Sequence, residues 1–165
     1  MTPNALDCPA DREETLAVVA RGGPVPSILS PYLSFRDNAR EAMEFYRTVF
    51  GGQLQLTTFK EFGISSDPAE DDKVMHSSLV ADNGITFMAS DTPSGMERRA
   101  GSAVSMALGG DDEAELSGYF ARLAEGGTVT MPLGDAPWGA RFGALTDRFG
   151  IDWMVNIGPP EQGAP

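Results

Sequence analysis

Apolar and polar positions in this chain switch between two periods, and the switches mark its elements. Ile28 to Phe35 reads as extended. Asp37 and Asn38 then offer caps for a helix whose apolar residues Ala42, Phe45, Tyr46, Val49 and Phe50 recur at helical spacing until Gly51-Gly52 stops it. Gln53 to Lys60 alternates weakly and an acidic loop runs from Glu61 to Asp72. Val74 to Ala81 and Ile85 to Ser90 form a hairpin around Asp82-Asn83-Gly84.

The same order then returns. Ser102 to Leu108 is extended, Asp111-Asp112 caps a helix carrying Leu116, Phe120, Leu123 and Ala124, and Gly126-Gly127 ends it. Thr128 to Leu133, Arg141 to Thr146 and Ile151 to Ile157 follow as strands. Phe45 and Phe120 precede their glycine pairs by the same interval, so the chain reads as two copies of a βαβββ module, an α+β fold. Module one spans 27–91, the linker 92–101 and module two 102–158, within one domain over 27–160; a short N-terminal extension, 1–26, and a tail, 159–165, flank it. A ferredoxin-like α/β sandwich is the structural alternative.

Side-chain alternation fixes which face of each module carries chemistry, because a one-residue slip moves every side chain to the opposite face. A three-residue turn with Gly84 in the left-handed position sorts Met75, Leu79, Ile85, Phe87 and Ala89 onto one face. His76, Ser78, Thr86, Met88 and Ser90 fall on the other. The first face is predicted to lie under the helix and the second to line a pocket. In module two, Ile151, Trp153, Val155 and Ile157 form the predicted core face, leaving Met154 and Asn156 toward the pocket.

Composition narrows the function classes. The 165 residues carry 24 acidic and 12 basic side chains, a formal charge of −12, the opposite of the basic footprint that a nucleic-acid backbone requires. No apolar run approaches a membrane span, and a cytoplasmic location is expected. The single cysteine, Cys8, cannot form an internal disulfide, and the single histidine, His76, leaves little for a nitrogen-and-sulfur metal site. In the extension, Asp11 to Arg21 has helical character between prolines.

Pro31-Tyr32-Leu33-Ser34-Phe35, Ala42-Met43-Glu44-Phe45-Tyr46 with Phe50-Gly51-Gly52, Val74-Met75-His76, and Thr146-Asp147-Arg148-Phe149-Gly150 with Trp153 together resemble the vicinal oxygen chelate superfamily. That superfamily includes glyoxalase I, extradiol dioxygenases and the fosfomycin and bleomycin resistance proteins, and the resemblance is to its PhnB-like branch, over about residues 28 to 157. It implies two βαβββ modules forming a U-shaped cleft, usually in a homodimer whose cavities include residues from both chains. In metal-dependent members a divalent ion sits on four positions, one on the first and one on the last strand of each module.

Here the chain departs from the family. Met154 stands where the last-strand glutamate of module two would be, and Met88 falls at or near the corresponding place in module one. Thioethers do not suit a hard divalent ion, and the first strands contain no His, Asp, Glu, Gln or Asn. No metal and no other cofactor is therefore expected. Some relatives carry names implying ubiquinone methyltransferase activity, but the doubled glycines here end helices rather than open them.

His76 is the candidate catalytic residue, since an unperturbed imidazole titrates near about 6.5. Tyr32, Ser78, Met88, Ser90, Trp138, Met154 and Asn156 are the candidate ligand-binding residues, Trp138 from a loop able to close over the cleft. Arg98 and Arg99 could hold an anion, though surface ion pairing is the simpler reading, and the acidic loop reads as solvated surface. The expected function is small-molecule binding in the cleft of a homodimer, without nucleic-acid or membrane partners. The alternative is a lyase, isomerase or dioxygenase of the superfamily with a noncanonical site built on His76.

Overall fold

The computed structural model describes residues 30–65, 67–98, 101, 103–137 and 139–158. The expected helix in the extension, Cys8, Arg99, Trp138 and the tail lie outside the described residues. The first unit runs β1 (Tyr32–Phe35), α1 (Ala39–Phe50), β2 (Gln53–Thr58), a short α2 (Phe59–Phe62), a 3-10 turn (Pro68–Glu70), β3 (Val74–Val80) and β4 (Thr86–Asp91). The second runs β5 (Met106–Gly110), α3 (Glu113–Leu123), β6 (Thr128–Asp135), β7 (Arg141–Thr146) and β8 (Asp152–Ile157).

Each unit makes its own four-stranded sheet, ordered β1-β4-β3-β2 and β5-β8-β7-β6. The first strand of each runs parallel to the last, and the remaining pairs are antiparallel. Two separate sheets exclude the ferredoxin-like alternative. Pairing also sets strand ends that side-chain pattern leaves open: β5 begins at Met106 rather than Ser102, and it is Met106 to Gly110 that pair with β8. The strand expected to reach Lys60 stops at Thr58, where Thr58 and Glu61 form a capping box and start α2.

Helix α1 buries Ala39, Ala42, Met43, Tyr46, Val49 and Phe50, the i, i+3, i+4, i+7 stripe of a core-facing helix. Asn38 makes no side-chain cap. The first helical N–H, on Ala39, instead donates to Asp91 Oδ1 at 2.9 Å, and the other oxygen of Asp91 accepts from the Val74 N–H at 2.9 Å. A buried carboxylate at the end of β4 thus ties the start of α1 to the start of β3. The second helix behaves as predicted, with Asp112 accepting from the Glu115 N–H.

Both glycine pairs end their helices for one physical reason. A Cβ on Gly52 would stand 2.1 Å from the Val80 carbonyl oxygen, and one on Gly127 would stand 2.4 Å from that of Thr146. Val80 and Thr146 are the last residues of β3 and β7, so in each module the chain leaving the helix passes directly over the same strand end. Only glycine fits such an approach.

The two modules share one core. Tyr46 on α1 lies 5.3 Å from Phe87 of the first sheet and 5.9 Å from Trp153 of the second, measured between ring centroids. Phe50 bridges the same two rings at 5.8 and 5.6 Å. Helix α1 therefore packs on both sheets, and Arg122 of α3 donates to the Val49 carbonyl at 3.0 Å. Asp147, buried in the β7–β8 turn, accepts from the Tyr46 hydroxyl at 2.7 Å and from Trp153 Nε1 at 2.9 Å. Its other oxygen accepts from the Phe149 and Ile151 N–H groups. With the helix-covered sides turned into this core, the opposite face of each sheet is left open.

Candidate functional site

The open face of the first module is set by the β3–β4 hairpin. Ala81 N–H donates to the Ile85 carbonyl, and Gly84 takes φ +87°, so the loop is the three-residue turn with a left-handed glycine. Phe87, Ala89 and Leu79 are buried on the helix side. The expected place of Met75 there is corrected. Thr57 pairs with His76 and Thr58 with Val74, so the bulge skips Met75, and Val74 and Ser77 take the buried positions while Met75 is half-buried.

On the other side, Tyr32 and Ser78 both pair with Met88 across neighbouring strands, and Ser34 pairs with Ser90. His76 shares the parity of Ser78 and stands on the same face, away from α1. The Tyr32 hydroxyl lies 3.3 Å from His76 Nδ1, with the rings 5.9 Å apart. A neutral imidazole carries one N–H. With the hydroxyl donating to Nδ1, the ring turns Nε2–H outward; with Nδ1–H donating to the hydroxyl, it turns Nε2 outward as an acceptor. Either way a polar atom with a fixed direction emerges from a face that also presents the Met88 thioether, Ser78, Val80 and, from the outer strand β2, Gln55.

Met154 and Asn156 occupy the corresponding face of the second sheet. Met154 pairs with Ala107 and Ala144, and Asn156 with Gly109 and Phe142. The sequence-predicted residues thus divide between two sheets, Tyr32, His76, Ser78, Met88 and Ser90 on one and Met154 and Asn156 on the other. The two modules match position by position: Tyr32 beside Met88 corresponds to Ala107 beside Met154.

That correspondence tests the family's metal positions. At the matched positions the first and last strands present Tyr32, Met88, Ala107 and Met154 to the open faces, which amounts to one phenol, two thioethers and a methyl group. This donor set does not fit a hard divalent ion. Among the described residues no group of three or more His, Cys, Asp or Glu side chains is arranged to hold a metal.

The remaining polar groups sort into structural and unassigned ones. In the acidic loop, Glu61 sits low in pKa because the Thr58 N–H and hydroxyl bond it, Glu70 chiefly because Lys73 does, and Asp71 chiefly because Ser65 does. Lys73 also pairs with Asp37 at 2.6 Å. The loop is therefore a self-partnered surface. Burial first, and the neighbouring Asp147 carboxylate second, push the Tyr46 hydroxyl far above the usual tyrosine range, so it serves only as a donor. Sequence pattern reads Tyr46 as an apolar core residue and Asp147 as a turn acceptor; the signal that joins them is that a buried phenol needs a partner. Arg98 forms no ion pair among the described residues. Its Nε donates to the Ser34 carbonyl at 2.8 Å, beside a cavity at β1.

Comparison with known proteins agrees with this geometry. The family model of the Glyoxalase/Bleomycin resistance protein/Dioxygenase superfamily matches residues 28–155. The crystal structure of protein PA1353 from Pseudomonas aeruginosa superposes with a TM-score of 0.69 at 42% identity, covering 80% of this chain and 98% of that one. A PhnB protein from Bacillus cereus gives 0.66 at 28% identity, covering 80% of this chain and 100% of that one. Protein YjdN of Escherichia coli (strain K12) is 30% identical over 140 residues, 78% of this chain and 94% of YjdN. No helix among the described residues is long and apolar enough to cross a membrane.

Proposed function

This chain belongs to the glyoxalase/bleomycin resistance protein/dioxygenase superfamily, in its PhnB-like branch, and on that footing we propose that it binds a small organic molecule on the open face of its first module without a divalent metal. The observation that carries this reading is the Tyr32–His76 pair at 3.3 Å, a directed polar contact on a face with Met88 at its centre. Methionine adapts to irregular apolar outlines, and the imidazole and hydroxyls fix orientation. The metal-free part rests on the donor set of Tyr32, Met88, Ala107 and Met154.

A second copy of the chain is the proposed other wall. Tyr32 and Val80 on one open face are 49% and 48% exposed, and Met131 and Met154 on the other are 51% and 37% exposed, apolar area that a homodimer would cover. Methyl transfer is not part of the proposal, because Gly51 and Gly126 follow helix ends, whereas a cradle for a charged donor opens a helix.

The same pair also supports a second reading, in which His76 acts as general base or acid in a lyase, isomerase or dioxygenase of this superfamily. Elemental analysis of untagged protein, titration with zinc, nickel, manganese and iron(II), and a small-molecule screen on wild type and H76N test both. The expected results are no stoichiometric metal and a loss of ligand affinity of about tenfold or more in H76N. One metal per chain, lost in H76N, would overturn the metal-free reading. Affinity and turnover untouched by H76N would remove His76 from the site.

A further inference from the structure

Beside β1 lies a cavity of about 340 Å³, a size typical of small-molecule pockets, which run from about 300 to 1,000 Å³. His76, Ser78 and Met88 do not line it, although Tyr32 and Ser34 border both it and the face that carries them. Leu33, Val104, Met106 and Ile151 give it apolar walls, and Arg98 and Asp152 are its charged groups.

Arg98 is half-buried, and its guanidinium is aimed by the single bond from Nε to the Ser34 carbonyl. Its terminal N–H groups have no partner among the described residues, and no carboxylate there lies within ion-pair distance of it. A guanidinium stays charged at any physiological pH. A half-desolvated guanidinium with no anion beside it among the described residues leaves its charge to be met from elsewhere. The two terminal nitrogens match a carboxylate end-on.

Asp152 decides the charge of the partner. One of its oxygens accepts from the Thr146 hydroxyl at 2.6 Å and the other has no partner among the described residues. An anion on Arg98 therefore meets one positive and one negative group in the same cavity. That combination suits a single negative charge and repels a double one, and the free Asp152 oxygen calls for a donor such as a hydroxyl. Val104, 80% exposed, is the kind of wall that an apolar body would cover.

We infer that this cavity is a binding site for small organic monocarboxylates with an apolar body, anchored by Arg98 and favoured by a hydroxyl that reaches Asp152. The test is calorimetric titration of the full chain with benzoate, mandelate, benzamide and benzylphosphonate, with amide shifts mapped by NMR. Mandelate is expected to bind tighter than benzoate, and benzoate tighter than benzamide. R98Q should weaken both carboxylates about ten- to a hundredfold while leaving benzamide unchanged, and R98K should recover part of the loss. V104W, which fills the cavity with Arg98 intact, should abolish binding of all of them.

Benzamide binding as tightly as benzoate, benzylphosphonate binding tighter than benzoate, carboxylate binding that survives R98Q or V104W, or no carboxylate binding at millimolar concentration would each overturn the inference. Shifts confined to β3 and β4 amides would also overturn it, by assigning the acid to the open face and leaving the earlier reading standing.

Discussion

Replacing Asp147 with alanine should be among the most damaging single substitutions in this chain. The carboxylate accepts four hydrogen bonds, from the Tyr46 hydroxyl, Trp153 Nε1 and the N–H groups of Phe149 and Ile151. Tyr46 is 0% exposed and Trp153 1%, so neither side-chain donor can turn to solvent. A buried donor left without its partner costs about 1–3 kcal/mol, which gives about 2–6 kcal/mol for the two. The turn amides lie nearer solvent and add about 1 kcal/mol. Against a total stability of about 5–15 kcal/mol, D147A would leave the protein marginal. Y46F removes one donor and keeps the acid with three others, so it should cost only about 1–2 kcal/mol. The decisive measurement is the double mutant by urea unfolding. Once the hydroxyl is gone, D147A strands one side-chain donor instead of two, and its cost should fall by about 1–3 kcal/mol. A D147A cost below about 1 kcal/mol, or additivity within about 0.5 kcal/mol, would refute the argument.

Two left-handed glycines should respond very differently to alanine. Gly84 has nothing near its would-be Cβ, so G84A should cost about 1–2 kcal/mol from backbone strain alone, whereas G52A forces a collision with the Val80 carbonyl and should cost at least about twice that by chemical denaturation; equal costs would contradict the close approach. Burial, then donation to Glu115, pushes the Tyr119 hydroxyl up to about 12. Its neutral form is the one the fold favours, so its contribution is intact below the unfolded value near 10 and is lost as the pH rises through about 12. Subtracting the alkaline absorbance titration of Y119F from that of wild type should isolate this ionisation, and a midpoint near 10 would count against the assigned environment. T58A, which removes the hydroxyl that accepts from the Glu61 N–H and keeps the Thr58 N–H that donates to Glu61, should lower stability by about 1 kcal/mol in thermal unfolding and leave the open face unchanged; no loss would mean that α2 does not depend on that half of its cap.

What the sequence discloses here is what repeats locally. Phe87 and Ala89 against Met88 and Ser90, or Trp153 and Val155 against Met154 and Asn156, announce their faces because a strand's period depends on neighbours two residues away. The Met75 bulge is hidden, since it exists only against β2, where Thr57 and Thr58 choose His76 and Val74. Helix α2 was signalled by the spacing of Thr58 and Glu61 but masked by the acidic run that follows. Tyr46 and Asp147 stand 101 positions apart, and Arg98 reaches a carbonyl 64 positions away, so neither partnership leaves a local trace. The candidate site follows the same division. The face of His76 could be inferred from alternation, whereas its contact with Tyr32, across 44 positions, required the parallel β1–β4 pairing.

The bond from Tyr46 to Asp147 also limits how this molecule can move. It joins a helix of the first module to a turn of the second, and swinging one sheet against the other would strip a buried phenol of this acceptor. A clamshell motion between the modules would thus cost that hydrogen bond and part the rings of Tyr46 and Phe50 from Trp153. Under the proposed binding role, accommodation of a guest would fall to groups that rotate in place, such as the thioethers of Met88 and Met154. As a binding site, such a scaffold would forgive variation in a guest's outline and stay exacting about where its polar atoms sit, reading a chemical pattern more than one shape.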